Sequence, residues 1–224
     1  MKILAIRGKN LASLAGEFEV DFTRDPLLNA GLFAISGATG SGKSTLLDAL
    51  CLALYGDTPR LMQATGEKIP DVHSEQVTPS DPRTLLRRGC GEGYAEVDFV
   101  GIDGIAYRTR WSVHRSQRRD DGKLQNVIYQ LTRIADLQPV GGTKKSEVHP
   151  AIARLVGLSF AQFTRAVLLA QNDFATFLKA DDNARAELLQ TLTGSERFER
   201  LSIRVYERFV MEKQTLDALN QQLA

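Results

Sequence analysis

The sequence predicts an α/β fold: a mixed sheet with an antiparallel β section, then a helical C-terminal part running into the start of a coiled coil. Three observations predict it. Residues 37–44 read GATGSGKS, which fits G-x-x-x-x-G-K-[ST], a turn set between a strand and a helix. Residues 94–113 pattern as a hairpin, and from Ser146 onward apolar residues recur at helical steps.

The glycine-rich turn carries the chemistry. Before it, Gly31–Ser36 is a short apolar run, as a buried strand would be. After it, Leu46, Leu47, Leu50 and Leu54 fall at helical spacing. Strand, glycine-rich turn and helix together form the phosphate-binding loop of nucleotidases. Gly37, Gly40 and Gly42 permit positive φ and close approach of the backbone to a ligand. The N–H groups of Gly37, Ala38, Thr39, Gly40, Ser41, Gly42 and Lys43 then form a nest for anionic oxygens, and the helix dipole adds to it. Lys43 supplies a charge to the β- and γ-phosphates of ATP, Ser44 a hydroxyl to Mg²⁺, and Thr45 sits near the α-phosphate.

The other elements follow in chain order. Lys2–Arg7 and Glu17–Phe22 alternate apolar and polar residues as half-buried strands do, with a turn over Gly8–Gly16. Residues 61–82 are polar and contain Pro70, Pro79 and Pro82, an irregular insertion. In the hairpin, the apolar faces coincide only if Phe99 opposes Tyr107 and Val97 opposes Thr109. That register needs a three-residue turn, Ile102-Asp103-Gly104, with glycine in the left-handed position. It sets Asp98 against Arg108 and Glu96 against Arg110, and makes Trp111 core. Asn126–Ile134 is a third strand. Helices are expected from Ser146 to near Gly157, from Ser159 through Leu169, from Asp181-Asp182 to near Gly194, and from Ser195 onward. In the last, Phe198, Leu201, Val205, Phe209, Leu216, Leu219 and Leu223 recur at three- and four-residue steps, with no stop signal before Ala224. That pattern suits the root of a coiled coil continuing in a longer polypeptide; the alternative is an amphipathic helix packed on the domain.

Composition narrows the function classes. A chain of 224 residues holds one substantial domain, and 43% hydrophobic with 25% charged residues is ordinary for a globular protein. The formal net charge of +1 gives no global attraction to nucleic acid, so any such site is local. Cys51 and Cys90 suggest no disulfide framework. No apolar stretch has the length of a membrane span or signal peptide, so no membrane partner and a cytoplasmic location are expected. His73, His114 and His149 lack metal-ligand spacing.

Half of a hydrolytic site is missing. No run of four apolar residues is followed by Asp-Glu; Val167–Ala170, followed by Gln171-Asn172-Asp173, comes nearest. Leu192–Glu196 (LTGSE) mimics a glycine-rich signature only faintly, and reads better as a helix end and the next cap. The absent half is expected from a later part of the polypeptide.

Four blocks, KNLASLAGEFEVDF, GATGSGKSTLLDALCLALYGDTPRL, LLRRGCGEGYAEVDF and FTRAVLLAQNDFATFLKA, resemble in order the SbcC family, the large ATPase subunits of bacterial SbcCD nucleases. The resemblance runs from Met1 to about Gly194. It implies a P-loop ABC-type ATPase N-terminal lobe over residues 1–194, with residues 195–224 starting the coiled-coil helix. It also implies a C-terminal lobe of the same polypeptide, a second ATPase head in a homodimer, an SbcD-type nuclease partner, and double-stranded DNA ends. Within it, Gln171 matches the glutamine that joins the Mg²⁺ shell, and Asn10 and Ser13 match an early turn near the nucleotide. Relatives outside the bacterial branch often carry arginine where this chain has Ala12. Lys43 and Gln171 are then the candidate catalytic residues. For DNA, Arg115, Arg118, Arg119 and Lys123 are the candidates, with no nearby strand partner evident in the sequence. Arg108 and Arg110 already have acidic partners in the hairpin register. Rival functions are an ATP-dependent tether of the SMC or RecN type and a self-sufficient P-loop nucleotidase or kinase.

Overall fold

A computed structural model describes residues 1–72, 75–164 and 196–223. Two compact units are present, residues 1–160 and 161–224.

In the first unit, five strands form one sheet: β1 (Lys2–Leu11), β2 (Leu14–Asp21), β5 (Glu92–Val100), β6 (Ala106–His114) and β7 (Ile128–Arg133), in the order β2-β1-β5-β6-β7. Every pairing in it is antiparallel. The hairpin has the register that its apolar faces require, with Phe99 opposite Tyr107, Val97 opposite Thr109, Asp98 opposite Arg108 and Glu96 opposite Arg110. Gly101 N–H donates to Ile105 O at 2.9 Å, so the turn is Ile102-Asp103-Gly104, with Gly104 at φ 79°. A side chain at Gly104 would strain that left-handed position.

One face of the sheet is the core. Ala95, Val97, Phe99 and Trp111 are fully buried on it. Helices α1 (Lys43–Tyr55) and α3 (Lys145–Val156) cover this face. α1 is apolar on nearly every side from Ala49 to Tyr55, and a helix of that kind has to be enclosed. Thr109 ties it to the sheet by donating its hydroxyl to Ala53 O at 2.8 Å. α1 ends at Gly56, φ 62°, where an added Cβ would meet Tyr129 and His149. His149 stands edge-on to Tyr129 with ring centroids 4.8 Å apart, and burial lowers its imidazole to about 4. α3 ends at Gly157, also left-handed, as the sequence suggested.

The opposite face is a charge lattice. Arg7 bridges Glu19 of β2 and Asp98 of β5, each at 2.7 Å. Arg108 grips both oxygens of Asp98 at 2.7 and 2.8 Å, and Arg110 reaches Glu96 at 2.9 Å. Cross-strand opposite charges explain why Glu96 and Asp98 tolerate near-complete burial.

Several sequence expectations change. Gly31–Ser36 forms no strand and is exposed, Leu32 at 93%. A strand needs a neighbour, and no strand among the described residues pairs with it. The described sheet is therefore wholly antiparallel. The first turn is tighter than Gly8–Gly16, because β1 continues to Leu11 and β2 resumes at Leu14. The 61–82 segment is not irregular throughout. Helix α2 (Pro59–Met62) enters it, capped by the Thr58 hydroxyl, and a two-stranded ribbon of β3 (Ile69–Pro70) and β4 (Gln76–Val77) lies within it. A 3-10 turn at Pro82–Leu85 closes it.

Of the later helices, α4 (Phe160–Phe163) and α5 (Glu196–Leu223) are described. The remainder of the expected Ser159–Leu169 helix and the Asp181–Gly194 helix lie outside the described residues. On α5, Leu201, Val205, Phe209 and Leu216 are all more than half exposed.

The Asp98 carboxylate yields a stability prediction. Burial pushes its pKa up, but hydrogen bonds from Arg108 and Arg7 outweigh this and hold it below 3.8, the ordinary value. Its contribution is therefore full above that value and lost as pH falls through the lower folded one. Asp98→Asn should cost roughly 2 kcal/mol at neutral pH, below the usual figure for a buried pair because Arg108 is 41% exposed. Urea unfolding should find the gap between variant and parent narrowing as the pH is taken progressively below 3.8.

Candidate functional site

The start of α1 is open. Its cap residue, Gly42, is left-handed at φ 95° and brings no capping side chain. The first backbone bond across the cap runs from Leu46 N–H to Gly42 O at 3.2 Å. The N–H groups of Lys43, Ser44 and Thr45 have no acceptor among the described residues. Uncapped amides at a buried helix's start suit an anion. The preceding turn folds on itself through Ser41 N–H to Ala38 O at 3.2 Å. Gly40 is left-handed at φ 83°.

Lys43 reaches back over this loop. Its Nζ donates to Gly37 O at 2.7 Å and to Ala38 O at 2.8 Å, and no carboxylate holds it among the described residues. A cation held only by carbonyls keeps its charge available. Ser44 is exposed, and Thr45 is buried against Ser13, their hydroxyl oxygens 3.3 Å apart. The residues fit a nucleotide phosphate: amides, one lysine and one exposed hydroxyl converge, and nothing acidic opposes them among the described residues.

A second chain segment completes the site. The turn between β1 and β2 lies against Gly42, where an added Cβ would sit 2.4 Å from Leu14 Cδ2 and 3.3 Å from Ser13 Oγ. Ser13 is thus beside α1. Asn10, where the β1–β2 register shifts just before this turn, is occupied: its Oδ1 accepts from Gly16 N–H at 2.9 Å, and its Nδ2 donates to Glu92 O at 3.0 Å. Gln171 lies outside the described residues, as do Val167–Ala170 and Leu192–Ser195.

Two neighbours were not legible as site residues. Asp48, one helical turn beyond Ser44, is buried and pairs with Arg60 of α2 at 2.7 Å; burial raises its carboxyl. It anchors the segment that leaves α1. Arg87 holds the Ala12–Ser13 turn from across the fold. Neither has a local sequence signal, because each works through a tertiary partner.

The basic cluster has acidic partners that the sequence did not reveal. Arg115 is largely buried, bound to Asp71 at 2.7 Å and to Gly122 O at 3.0 Å. Arg118 pairs with Glu92 at 3.3 Å, Arg119 with Asp121 at 2.9 Å, and Lys123 with Glu75. Asp71 and Glu75 flank the tip of the β3–β4 ribbon, so the insertion supplies two of these four partners. Among the described residues no cluster of three or more His, Cys, Asp or Glu could hold a metal, and no helix is long and apolar enough to cross a membrane.

Comparison with known proteins shows the family. The family described as the AAA domain matches residues 5–224. The chain is 54% identical over its whole length to the SbcC component of the SbcCD nuclease of Pseudomonas aeruginosa, covering 18% of that protein. It is 50% identical to the SbcC protein of Rhodobacter capsulatus, over 95% of this chain and 17% of the relative. The SbcC protein of Bacillus subtilis is 33% identical over 88% of this chain, covering 16% of that protein. The chain therefore spans less than a fifth of these relatives' length. A solved structure from work on ATP-driven dimerization and DNA-stimulated activation of SMC ATPases matches with a TM-score of 0.54 at 20% identity. It covers 86% of this chain and 99% of that one, a likeness of fold. The resemblance to SbcC proteins thus holds from end to end, and the chain belongs to the AAA domain family.

Proposed function

We propose that this chain is the ATP-binding N-terminal lobe of an SbcC-type DNA repair ATPase, which couples ATP binding and hydrolysis to DNA end processing by a partner nuclease. The observation that carries the proposal is the open start of α1, where unpartnered amides lie beside a carbonyl-held Lys43 and an exposed Ser44. The 54% identity to an SbcC protein supports the same reading.

In this reading the loop from Gly37 to Gly42 wraps the phosphates, and Lys43 releases its two carbonyls to bind the β- and γ-oxygens. The Ser44 hydroxyl and Gln171 amide would hold Mg²⁺, which when bound neutralises phosphate charge. Thr45 and Ser13 define the α-phosphate side.

Hydrolysis needs groups this chain does not supply. An acidic strand end and an opposing signature would come from a C-terminal lobe of the same polypeptide and from a second head. The exposed Leu32, Phe33 and Ile35 support this, since an apolar run directly before a phosphate loop is suited to pairing inside a sheet. The exposed stripe on α5 suits a coiled-coil partner helix in the same way. The domain plan is then a lobe over residues 1–194 and a coiled-coil root over 195–224, working in the cytoplasm on double-stranded DNA ends.

For DNA, the exposed pairs of Arg118, Arg119 and Lys123 are each worth about 0–1 kcal/mol and can be traded for phosphates. Arg115 is committed to Asp71 and drops to a supporting role.

Lys43→Ala in the full-length protein should lower ATPase activity by about a hundredfold or more, measured as phosphate release. Retained activity would remove the assigned role. Turnover by the 224-residue chain alone would instead favour a self-sufficient nucleotidase. Replacing Arg118, Arg119 and Lys123 together by alanine should reduce the slope of log affinity against log salt by roughly 2 to 3 for duplex DNA. An unaltered slope would discard that surface.

A further inference from the structure

The nucleotide loop does not hold its second wall by itself. That wall is the Ala12–Ser13 turn, which presses Leu14 onto Gly42 and sets Ser13 against Thr45. The turn is built under strain. Asn10 and Ala12 both adopt left-handed backbone, at φ 52° and 45°. Such residues cost on the order of 1–3 kcal/mol each and persist only when their surroundings impose them.

The Asn10 side chain is held by Gly16 N–H and Glu92 O, and the backbone of the turn is held by segment 85–87. Ala12 N–H donates to Leu85 O at 2.8 Å, and Arg87 N–H donates to Asn10 O at 2.9 Å. Leu86 bridges Leu11. The Arg87 guanidinium then closes the turn from outside, its Nη1 donating to Ala12 O at 3.1 Å and Ser13 O at 2.8 Å.

Arg87 differs from most arginines of the first unit. Arg7, Arg60, Arg83, Arg108 and Arg115 each have a carboxylate oxygen at 2.6 to 2.7 Å. Arg87 has none among the described residues, and its bonds go to carbonyls of the one turn beside the loop. Lys43 is held in the same manner. Both cations are thus held by carbonyls of the two segments that meet at the start of α1, Lys43 by the loop and Arg87 by the turn.

We propose that Arg87 is a positioning residue for nucleotide binding, which locks the Ala12–Ser13 turn against Gly42 and Thr45 and so sets the phosphate-facing start of α1. The inference rests on the nucleotide-binding reading above. Arg87 acts through backbone carbonyls, so it affects ATP and ADP alike, whereas Lys43 acts on the terminal phosphates and discriminates between them.

The test is calorimetry of ATP and ADP with Mg²⁺ on the full-length protein, its Arg87→Ala and Arg87→Lys forms, and Lys43→Ala. Arg87→Ala should weaken both nucleotides about tenfold, leave their ratio at the parent value and keep the native circular dichroism. Arg87→Lys should come within about threefold of the parent, because one nitrogen makes both bonds and an ammonium can repeat them. Unchanged affinities in Arg87→Ala, with binding lost in Lys43→Ala, would overturn the positioning role and leave the nucleotide reading intact. Loss of affinity together with loss of the folded signal, unrecovered in Arg87→Lys, would also overturn it. A parent that binds neither nucleotide would remove both.

Discussion

Helix α1 is under two opposed demands, and the site lies where they meet. From Ala49 to Tyr55 the helix must be enclosed, because almost every side is apolar. At Gly42 it must stay open, because no side chain caps it and three amides lack acceptors among the described residues. A helix fixed along its length by the sheet cannot rotate or fray to relieve that open start. The sheet therefore holds a row of donors at a set position, and Thr109 bonding to Ala53 is one of the ties that fix it. An anion is the natural partner for such an arrangement. The glycine is demanded twice at Gly42, once by φ and once by Leu14, which leaves no room for a Cβ.

The two faces of the sheet do separate work. Side chains at every second position of β5 and β6 build the core under α1, and those between build the lattice of Arg7, Asp98, Arg108, Glu96 and Arg110. This explains how a chain with a quarter of its residues charged has a net charge of only +1. Arginines with buried acidic partners are spent on the fold. Cations whose carboxylate partners are exposed, or absent among the described residues, keep more of their charge toward solvent.

How much of this was legible depended on the range of the interaction. The hairpin register could be read to the residue, because period-two alternation and opposite charges constrain it together along both arms. The glycine-rich turn and the helix it opens were legible because their residues are contiguous in sequence. The Gly31–Ser36 segment shows the limit: its composition speaks for a strand, but a strand is a relation between two segments, and composition describes one. The basic cluster at 115–123 shows the same limit in reverse. It looked unpaired because Asp71 and Glu75 lie far earlier in the chain, in a segment with no pattern of its own. Arg87 was invisible for the same reason, being 74 residues from the serine carbonyl it holds.

These long-range ties also decide which edges of the described sheet are covered. The described sheet closes its own edge at β7, where residues 138–143 bond back to it through Arg133, Val140 and Tyr129. In the run at Leu32, Phe33 and Ile35, which leads directly into the loop, no backbone pairing to the sheet is present among the described residues; Phe33 touches Phe22, ring centroids 5.4 Å apart, and Leu32 is 93% exposed. Its exposure cannot be credited to the loop's function, because phosphate contacts need backbone amides and not apolar side chains. Nor does it answer a need of the core, which is already filled by α1 and α3. An apolar run of this kind matches the proposal that a strand from elsewhere in the polypeptide pairs with it. In the proposed head, a strand from the rest of the polypeptide that paired with this run would steady the loop on its N-terminal side.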